Sequence, residues 1–157
     1  MRRIYEGSID GGGRRVAIAA SRFNRLVTDP LVAGAVEELR RHGVEDADLD
    51  LAWVPGAFEL PLVAERLAAS GRYAAVVAIG AVVRGATPHF DHVAGQAAAG
   101  LAAVIRATGV PVAFGVLTCD TMEQALDRAG GKAGNKGAEA ALCALEMAGL
   151  LEAIDKD

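Results

Sequence analysis

Two of the three histidines in the chain lie within nine residues, "GATPHFDHV", which run from Gly85 to Val93. His89 and His92 are three residues apart, so on a helix both imidazoles would lie on one face. A neutral imidazole beside a bound anion can exchange protons near pH 7. The pair also fits part of a metal site with Asp91, although such sites normally need three or more ligands. Ordinary surface histidines are the remaining interpretation.

The residues before His89 have the parts of an anion-binding loop. Gly85 permits unusual backbone angles, Thr87 offers a hydroxyl, and a helix that begins here would point its first amides at a ligand. In the alternative interpretation Thr87 is only an N-cap and Pro88 only a first-turn proline. The spacing of these residues is compatible with both interpretations. The chain has neither a P-loop motif nor a dinucleotide-binding glycine motif, which disfavours nucleoside triphosphates and dinucleotides as ligands.

Other residue types that could bind a flat, phosphorylated ligand are scarce in the chain. Phe23 and Phe114 are two of only four phenylalanines and could stack on a heterocycle, or could be core aromatics. Arg128 lies on a predicted helix and could reach a phosphate, or could be solvated. The chain has three lysines, and two of them, Lys132 and Lys136, bracket a glycine-rich segment where they could bind an anion or flank a helix start.

Four apolar runs that alternate with helical patterns must position these residues. The alternation predicts parallel strands joined by right-handed crossovers, an α/β layer sandwich, in one domain over residues 1–157. The first helix is predicted to be capped by Thr28 or Asp29 with Pro30 in its first turn, and Thr121 with Gln124 fits a capping box. The predicted strands are 14–20, 48–54, 73–83 and 111–117, and the predicted helices are 28–43, 62–70, 92–108, 118–130 and 138–154.

The distinctive residues follow the strands, whereas the opposite connections are short stops at glycine. Phe23 follows the first strand in "SRFN", Glu59 follows the second in "PGAFE", the histidine stretch follows the third and "TCDTMEQALDR" follows the fourth. Ligands of open α/β sheets bind at the carboxyl ends of the strands. The sequence therefore predicts one site at this edge of the sheet.

Composition narrows the function classes. Hydrophobic residues make up 52% of the chain and aromatic residues 4%, so small side chains supply most of the apolar surface. A domain of this size has limited interior volume, which favours burial between subunits of a homo-oligomer. The net charge of −4 argues against non-specific nucleic-acid binding.

Other features indicate a cytoplasmic protein outside the membrane. The longest apolar run, 73–83, is shorter than the ~20 residues that span a bilayer, and the first residues lack the apolar region of a secretory signal. Cys119 and Cys143 are far apart in no metal or redox motif, as expected for two reduced thiols.

Taken together and in order, the motifs resemble those of the lumazine synthase family. The resemblance spans roughly residues 15 to 150, nearly the whole chain. Each stretch alone is weakly specific, but the ordered set is highly specific. His92 stands where the family often has tyrosine, and no proposed catalytic group is missing. The matching stretches are "SRFN", "HGV", "AWVPGAFELP", "GAVVRGATPHFDHVAG", "PVAFGVLTCDTMEQALDRAG" and "KAGNKGAEAA".

The resemblance implies a three-layer sandwich with a four-stranded parallel, flavodoxin-like sheet. It also implies a homopentamer with active sites between neighbouring subunits, either free or assembled into an icosahedral shell, and the short "GGKAGNKG" segment favours the shell. An extended N-terminal arm, 1–13, would add a strand to the neighbouring sheet. No metal or organic cofactor is expected, and riboflavin synthase is a possible protein partner.

The implied reaction is the penultimate step of riboflavin biosynthesis. It condenses 5-amino-6-(D-ribitylamino)uracil with 3,4-dihydroxy-2-butanone 4-phosphate and releases phosphate and water. His89 would be the proton donor, and Ala86, Thr87 and Arg128 would hold the phosphate. The pyrimidine substrate would contact Phe23, Ala57, Phe58, Glu59, the backbone of Ala81, Val82 and Val83, Phe114 from the adjacent subunit, and secondarily Lys136.

Two other function classes share these motifs. One is a flavin- or lumazine-binding homologue without useful turnover, and the other is a structural shell protein whose site is residual. The intact set of Phe23, Glu59, His89 and Arg128 argues against both, because assembly alone requires none of them.

Overall fold

Four parallel strands form the central sheet of the computed structural model, which describes residues 1–156. The strand order β2-β1-β3-β4, with helices on both faces, is a flavodoxin-like α/β arrangement, which confirms the predicted fold class. Asp157, the last residue of the predicted domain, lies outside the described residues. The strands are β1 (Val16–Ser21), β2 (Leu49–Val54), β3 (Ala75–Val83) and β4 (Val112–Cys119).

Two pairs of helices cover the two faces of this sheet. The apolar cluster on one face contains residues of α1 and α5, and the cluster on the other contains residues of α2 and α3. Alternate residues of β3 enter the two clusters, with Val77 and Ile79 on one side and Val76 and Ala78 on the other. The helices are α1 (Arg25–Arg41), α2 (Leu60–Ala69), α3 (His89–Thr108), α4 (Met122–Arg128) and α5 (Lys136–Asp155), and short 3-10 turns cover Asp46–Asp48 and Ala57–Glu59.

The predicted start of the first helix was wrong. Helix α1 begins at Arg25, and its N-cap is Asn24, which adopts the left-handed conformation with φ of 61°. The Asn24 carbonyl accepts hydrogen bonds from the amides of Val27 and Thr28 at 2.8 and 3.0 Å. Thr28 is therefore a buried helical residue, and Pro30 lies inside the helix. The early start leaves only three residues between β1 and α1, which fixes Phe23 at the strand end.

Two other helix starts bear on the site. Helix α3 begins at His89, three residues before the predicted boundary, and its N-cap is Pro88, with no side-chain cap from Thr87. Helix α4 has the predicted cap, because Thr121 Oγ1 accepts a hydrogen bond from the Gln124 amide at 3.1 Å. The Gln124 side chain accepts from the amide of Asp120, one residue before the position expected for a capping box.

The glycine-rich segment forms a small antiparallel hairpin of β5 (Ala129–Gly131) and β6 (Gly134–Asn135). Asn135 then caps α5, since its Oδ1 accepts from the amides of Gly137 and Ala138, while its Nδ2 donates to the Pro30 carbonyl at 3.0 Å. A Cβ at Gly137 would collide with the Leu31 carbonyl. Helices α1 and α5 are therefore in close contact where α5 begins, which fixes the position of Lys136.

Residues 1–15 form no helix or strand, and Gly7 and Ser8 lie against Glu146 and Gly149 of α5. The Arg14 side chain is only 12% exposed and binds the Glu152 carboxylate at 3.1 Å. It also donates to the carbonyls of Ser8 and Asp10. Within residues 1–156 no helix is long and apolar enough to cross a membrane.

Candidate active site

A groove of about 700 Å³ opens at the carboxyl ends of β1 and β3, between the 3-10 turn Ala57–Glu59 and the start of α3. We call it the first groove. Its volume is typical of small-molecule sites. It lies at the predicted edge of the sheet because parallel strands end together there. It is lined by Phe23, Asn24, Pro55, Gly56, Ala57, Phe58, Glu59, Ala81, Val82, Val83, Gly85, Thr87, His89, Phe90, His92 and Val93.

Phe23 lies at the mouth of this groove with 70% of its surface exposed. Its amide donates to the Pro55 carbonyl at 3.1 Å, so the loop after β1 is held against the loop after β2. Asn24 Nδ2 donates to the Ala81 carbonyl at 3.2 Å, which joins the same loop to β3. The sequence alone does not indicate a role for Asn24. An asparagine directly after a strand, a type that tolerates positive φ, was the available signal.

The backbone of β3 is open on the groove side. Pairing between β1 and β3 ends at Ala20 and Ile79, whereas β3 continues beside β4 as far as Val83. The amide of Arg84 donates to the Cys119 carbonyl at 2.9 Å. Because the backbone N–H and C=O groups of successive strand residues point to opposite sides, those of Val82 also point at β4. The backbone groups of Ala81 and Val83 face the other way, and only Ala81 is engaged, through Asn24.

The 3-10 turn after β2 supplies both an aromatic and an acidic group. Ala57 is buried, whereas Phe58 is 60% exposed and Glu59 is exposed. A Cβ on Gly56 would lie 3.1 Å from Glu59 Oε2, so the carboxylate folds back over that glycine. This places an acceptor and a ring beside Phe23 along the same groove.

The loop from Gly85 to Pro88 forms the other end of the groove. Gly85 and Thr87 line it, and Ala86 lies exposed between them. Because no side chain caps α3, the amides of its first turn lack a side-chain partner. The Asp91 amide donates to the Pro88 carbonyl at 3.1 Å, which leaves the amides of His89 and Phe90 for a ligand. Together with the helix dipole, these two amides make this a suitable place for an anion.

His89 and His92 both line the first groove and are both exposed. His89 is the first residue of α3 and is closest in sequence to the open loop, whereas His92 is almost one turn further along. In the described part of the chain, no three residues among His, Cys, Asp and Glu lie close enough together to hold a metal ion. His89 and His92 are thus two separate side chains on one face of α3, without a third metal ligand beside them in the described residues.

Arg84 bridges the loop after β3 to the loop after β4. Its Nε donates to Asp120 Oδ1 at 2.9 Å and its Nη1 to Asp91 Oδ1 at 3.4 Å. The guanidinium also lies over the Phe90 ring, 4.4 Å from the centroid. No motif in the sequence indicates a role for Arg84.

A second groove, of about 470 Å³, lies along the outer side of β4, which is an edge strand. Phe114 is 50% exposed there. Arg128, at the end of α4, donates to the Gln124 carbonyl at 3.0 Å, and Lys136 Nζ binds Glu139 at 2.8 Å. The groove is lined by Phe114, Gly115, Val116, Leu117, Thr118, Cys119, Arg128, Lys136, Glu139, Ala140 and Cys143.

The two cysteines of the second groove are free thiols in different surroundings. Cys119 is buried and Cys143 is exposed. Burial raises the pKa of the Cys119 thiol, and the positive charge of Arg128 opposes this only in part. Cys119 is therefore expected to remain a neutral thiol near pH 7.

The two grooves share no lining residue. Within one subunit the fold brings Phe23, Glu59, Thr87 and His89 together, but it leaves Phe114, Arg128 and Lys136 in the other groove. A single subunit thus divides the candidate site residues between two grooves.

Comparisons with known proteins identify the family to which the chain is similar. The family model described as 6,7-dimethyl-8-ribityllumazine synthase matches residues 13–152. A protein of that name from Anaeromyxobacter dehalogenans (strain 2CP-C) is 58% identical over 151 residues, which cover 96% of this chain and 93% of the relative.

Proposed function

The chain belongs to the 6,7-dimethyl-8-ribityllumazine synthase family, and from this premise we propose how its two grooves carry out the reaction. The protein is an enzyme that condenses 5-amino-6-(D-ribitylamino)uracil with 3,4-dihydroxy-2-butanone 4-phosphate. The products are 6,7-dimethyl-8-ribityllumazine, phosphate and water, in the penultimate step of riboflavin biosynthesis. The observation that carries the site assignment is the first groove, where aromatic, acidic, imidazole and open amide groups meet.

The uracil substrate binds at the Phe23 end of the first groove. The exposed rings of Phe23 and Phe58 offer faces for a flat heterocycle. The open backbone groups of Val83 and the second lone pair of the Ala81 carbonyl, whose first accepts from Asn24, can pair with polar groups of its ring. Val82 and Ala57 are neighbouring walls. Glu59 accepts hydrogen bonds from the ribityl hydroxyls.

The phosphate of the second substrate binds at the start of α3. The uncapped first turn and the loop with Ala86 and Thr87 supply amides and a hydroxyl. Arg128 of a neighbouring subunit supplies the positive charge, because Arg128 of the same subunit lies in the second groove. His89 is the first residue after this loop and so lies beside the reacting carbons.

The chemistry requires proton transfers at one place. The 5-amino group attacks the ketone carbonyl, and loss of water gives a Schiff base. Loss of the C3 proton and of phosphate from C4 leaves an enol at C3, which tautomerises to a new carbonyl. The ribityl-bearing nitrogen attacks this carbonyl to close the ring, and a second dehydration yields the lumazine. His89 donates protons to the departing oxygens and takes protons from the attacking nitrogens. The two grooves hold the reactants in line, which lowers the entropic cost of the bimolecular step.

The complete site forms between subunits. The separation of the two linings supports a homo-oligomer in which the second groove of one subunit closes on the first groove of the next, bringing Phe114, Arg128 and Lys136 to His89. We propose a homopentamer, either free or assembled into a shell.

Each subunit is one domain over 1–157, and the 1–13 arm reaches the neighbour. In this proposal the protein acts in the cytoplasm, with riboflavin synthase as its protein partner and without a metal or organic cofactor.

Turnover of both substrates tests the proposed function. The purified protein is mixed with the two substrates, and lumazine absorbance is compared with the spontaneous condensation. Acceleration that saturates in both substrates is expected. No acceleration, with lumazine binding retained, would instead favour a binding homologue without turnover. Assembly without acceleration and without lumazine binding would favour a structural shell protein.

A further inference from the structure

We infer that Arg84 is a positioning residue that neutralises Asp91 and Asp120 and so keeps the start of α3 able to accept a phosphate dianion. The inference rests on the proposed function for the location of that phosphate. It concerns a residue that need not touch either substrate.

The charges around the proposed phosphate site are unfavourable without Arg84. Asp91 lies in the first turn of α3, where its carboxylate interacts with the same helix terminus that the phosphate would use. Asp120 follows β4 and is joined to Asp91 through one guanidinium. Two carboxylates beside an anion site repel a dianion, and Arg84 is the cation that contacts both of them.

The geometry of Arg84 suits compensation better than direct binding. Its Nε and one Nη already donate to the two carboxylates, and its flat face is stacked on Phe90. Phe90 in turn packs against the apolar cluster under α3. The guanidinium is thus held in place from three sides, although its side chain remains 45% exposed.

The same contacts connect the loops that carry the two half-sites. The Arg84 amide donates to the Cys119 carbonyl, and Cys119 lines the second groove. The Arg84 side chain donates to Asp120, which directly precedes Thr121, the cap of α4. The last residue of α4 is Arg128. Arg84 therefore holds the loop before His89 at a fixed distance from the element that carries Arg128.

Steady-state kinetics at low ionic strength separate compensation from a general structural role. Arg84→Met should raise KM for 3,4-dihydroxy-2-butanone 4-phosphate by about threefold to tenfold, since exposed charges interact modestly. KM for 5-amino-6-(D-ribitylamino)uracil should stay within about twofold. Inorganic phosphate, used as a competitive probe, should lose affinity in parallel, and the effect should shrink at high salt.

A double variant, Arg84→Met with Asp91→Asn, is the sharper test. In Arg84→Met, adding Asp91→Asn should restore much of the lost phosphate affinity, because the uncompensated carboxylate has been removed. Asp91→Asn alone should lower KM for the phosphate substrate, and Arg84→Lys should stay near the wild type because it keeps the charge. Arg72→Met is the matched control, since Arg72 likewise stacks on an aromatic ring, that of Tyr73, away from both grooves.

Several outcomes would overturn the inference. They are unchanged KM values in Arg84→Met, equal rises in both KM values, and absence of rescue by Asp91→Asn. If Arg84→Met does not fold, an unchanged or raised phosphate KM in Asp91→Asn alone is sufficient to reject it. Failure of the proposed function is distinguishable, because the wild-type protein itself would then show no turnover.

Discussion

Phe23 and Phe114 line two separate grooves of the same subunit, one beyond the end of the central strand β1 and the other on the edge strand β4. Both rings are exposed, at 70% and 50% of their surfaces. Large exposed aromatic rings in two partial sites are expected where two copies of a chain meet.

Subunit complementation should follow from this separation. His89→Ala inactivates the first groove and Arg128→Ala the second, so each variant alone has low activity. When equal amounts are unfolded and reassembled together, about a quarter of the interfaces combine two intact grooves. The mixture should therefore recover about a quarter of the wild-type rate. Recovery no greater than the average of the two variants would mean that each site belongs to a single subunit.

The two histidines should differ in their effect on turnover. His89→Ala should lower kcat by about tenfold to a hundredfold, toward the low end for a lost general acid, because the condensation also proceeds spontaneously. His92→Ala should keep kcat within about threefold, since His92 lies further along α3 from the open loop. Stopped-flow lumazine absorbance provides the measurement. Equal losses in the two variants would contradict the assignment of His89.

Acid should weaken the attachment of the arm to α5. The hydrogen bond from Arg14 holds the pKa of the Glu152 carboxyl below its ordinary value of 4.5. Because the folded-state pKa is lowered, the stabilisation is complete above pH 4.5 and is lost as the pH falls through the folded-state value. Glu152→Gln should cost roughly 0.5 kcal/mol at pH 7, because the Glu152 side chain is half exposed, and nothing in strong acid.

Thermal unfolding followed by circular dichroism between pH 7 and pH 3 measures this effect. The difference in Tm between the wild type and Glu152→Gln should be about 1–2 °C at pH 7 and should vanish at the acid end. Glu65→Gln, on the exposed side of α2 across the sheet from the arm, is the control. A constant Tm difference at every pH would show that the carboxylate charge is not responsible.

Replacing two helical glycines by alanine should change the free energy of unfolding in opposite directions. Gly137 is buried at the start of α5, and a Cβ there would collide with the Leu31 carbonyl, so Gly137→Ala should destabilise the protein by about 1–3 kcal/mol. Gly95 in α3 has open space around the position of a Cβ, so Gly95→Ala should be neutral or up to about 1 kcal/mol stabilising. Urea denaturation gives both values. A clear loss for Gly95→Ala would indicate that this face of α3 packs against another subunit.

Several features were readable from the sequence because they depend on local pattern. Continuous apolar runs such as 73–83 predict strands buried on both faces, and their alternation with helical patterns predicts a parallel sheet. The Thr121 cap of α4 was also predicted, since it depends on residues three apart. Parallel strands place their following loops at one edge, which is why Phe23, Glu59 and His89 could be assigned to a common site before the fold was known.

The start of α1 could not be read in the same way. Thr28, Asp29 and Pro30 form a local helix-start pattern, yet the helix begins at Arg25. Asn24, the N-cap with positive φ, donates from its side chain to the carbonyl of Ala81, a residue 57 positions away. A contact of that range has no local signature, and here it outweighed the local one.

Sequence alone therefore determined the fold class and supplied the candidate site residues, because periodicity, strand ends and ordered motifs are properties of short stretches. Only the tertiary structure decided which of these residues share a groove. It placed Phe114, Arg128 and Lys136 on the far side of β4, and it gave Arg84 two carboxylate partners from different loops. The reason is physical: strand order and edge position arise from packing between distant segments, and no single segment encodes them.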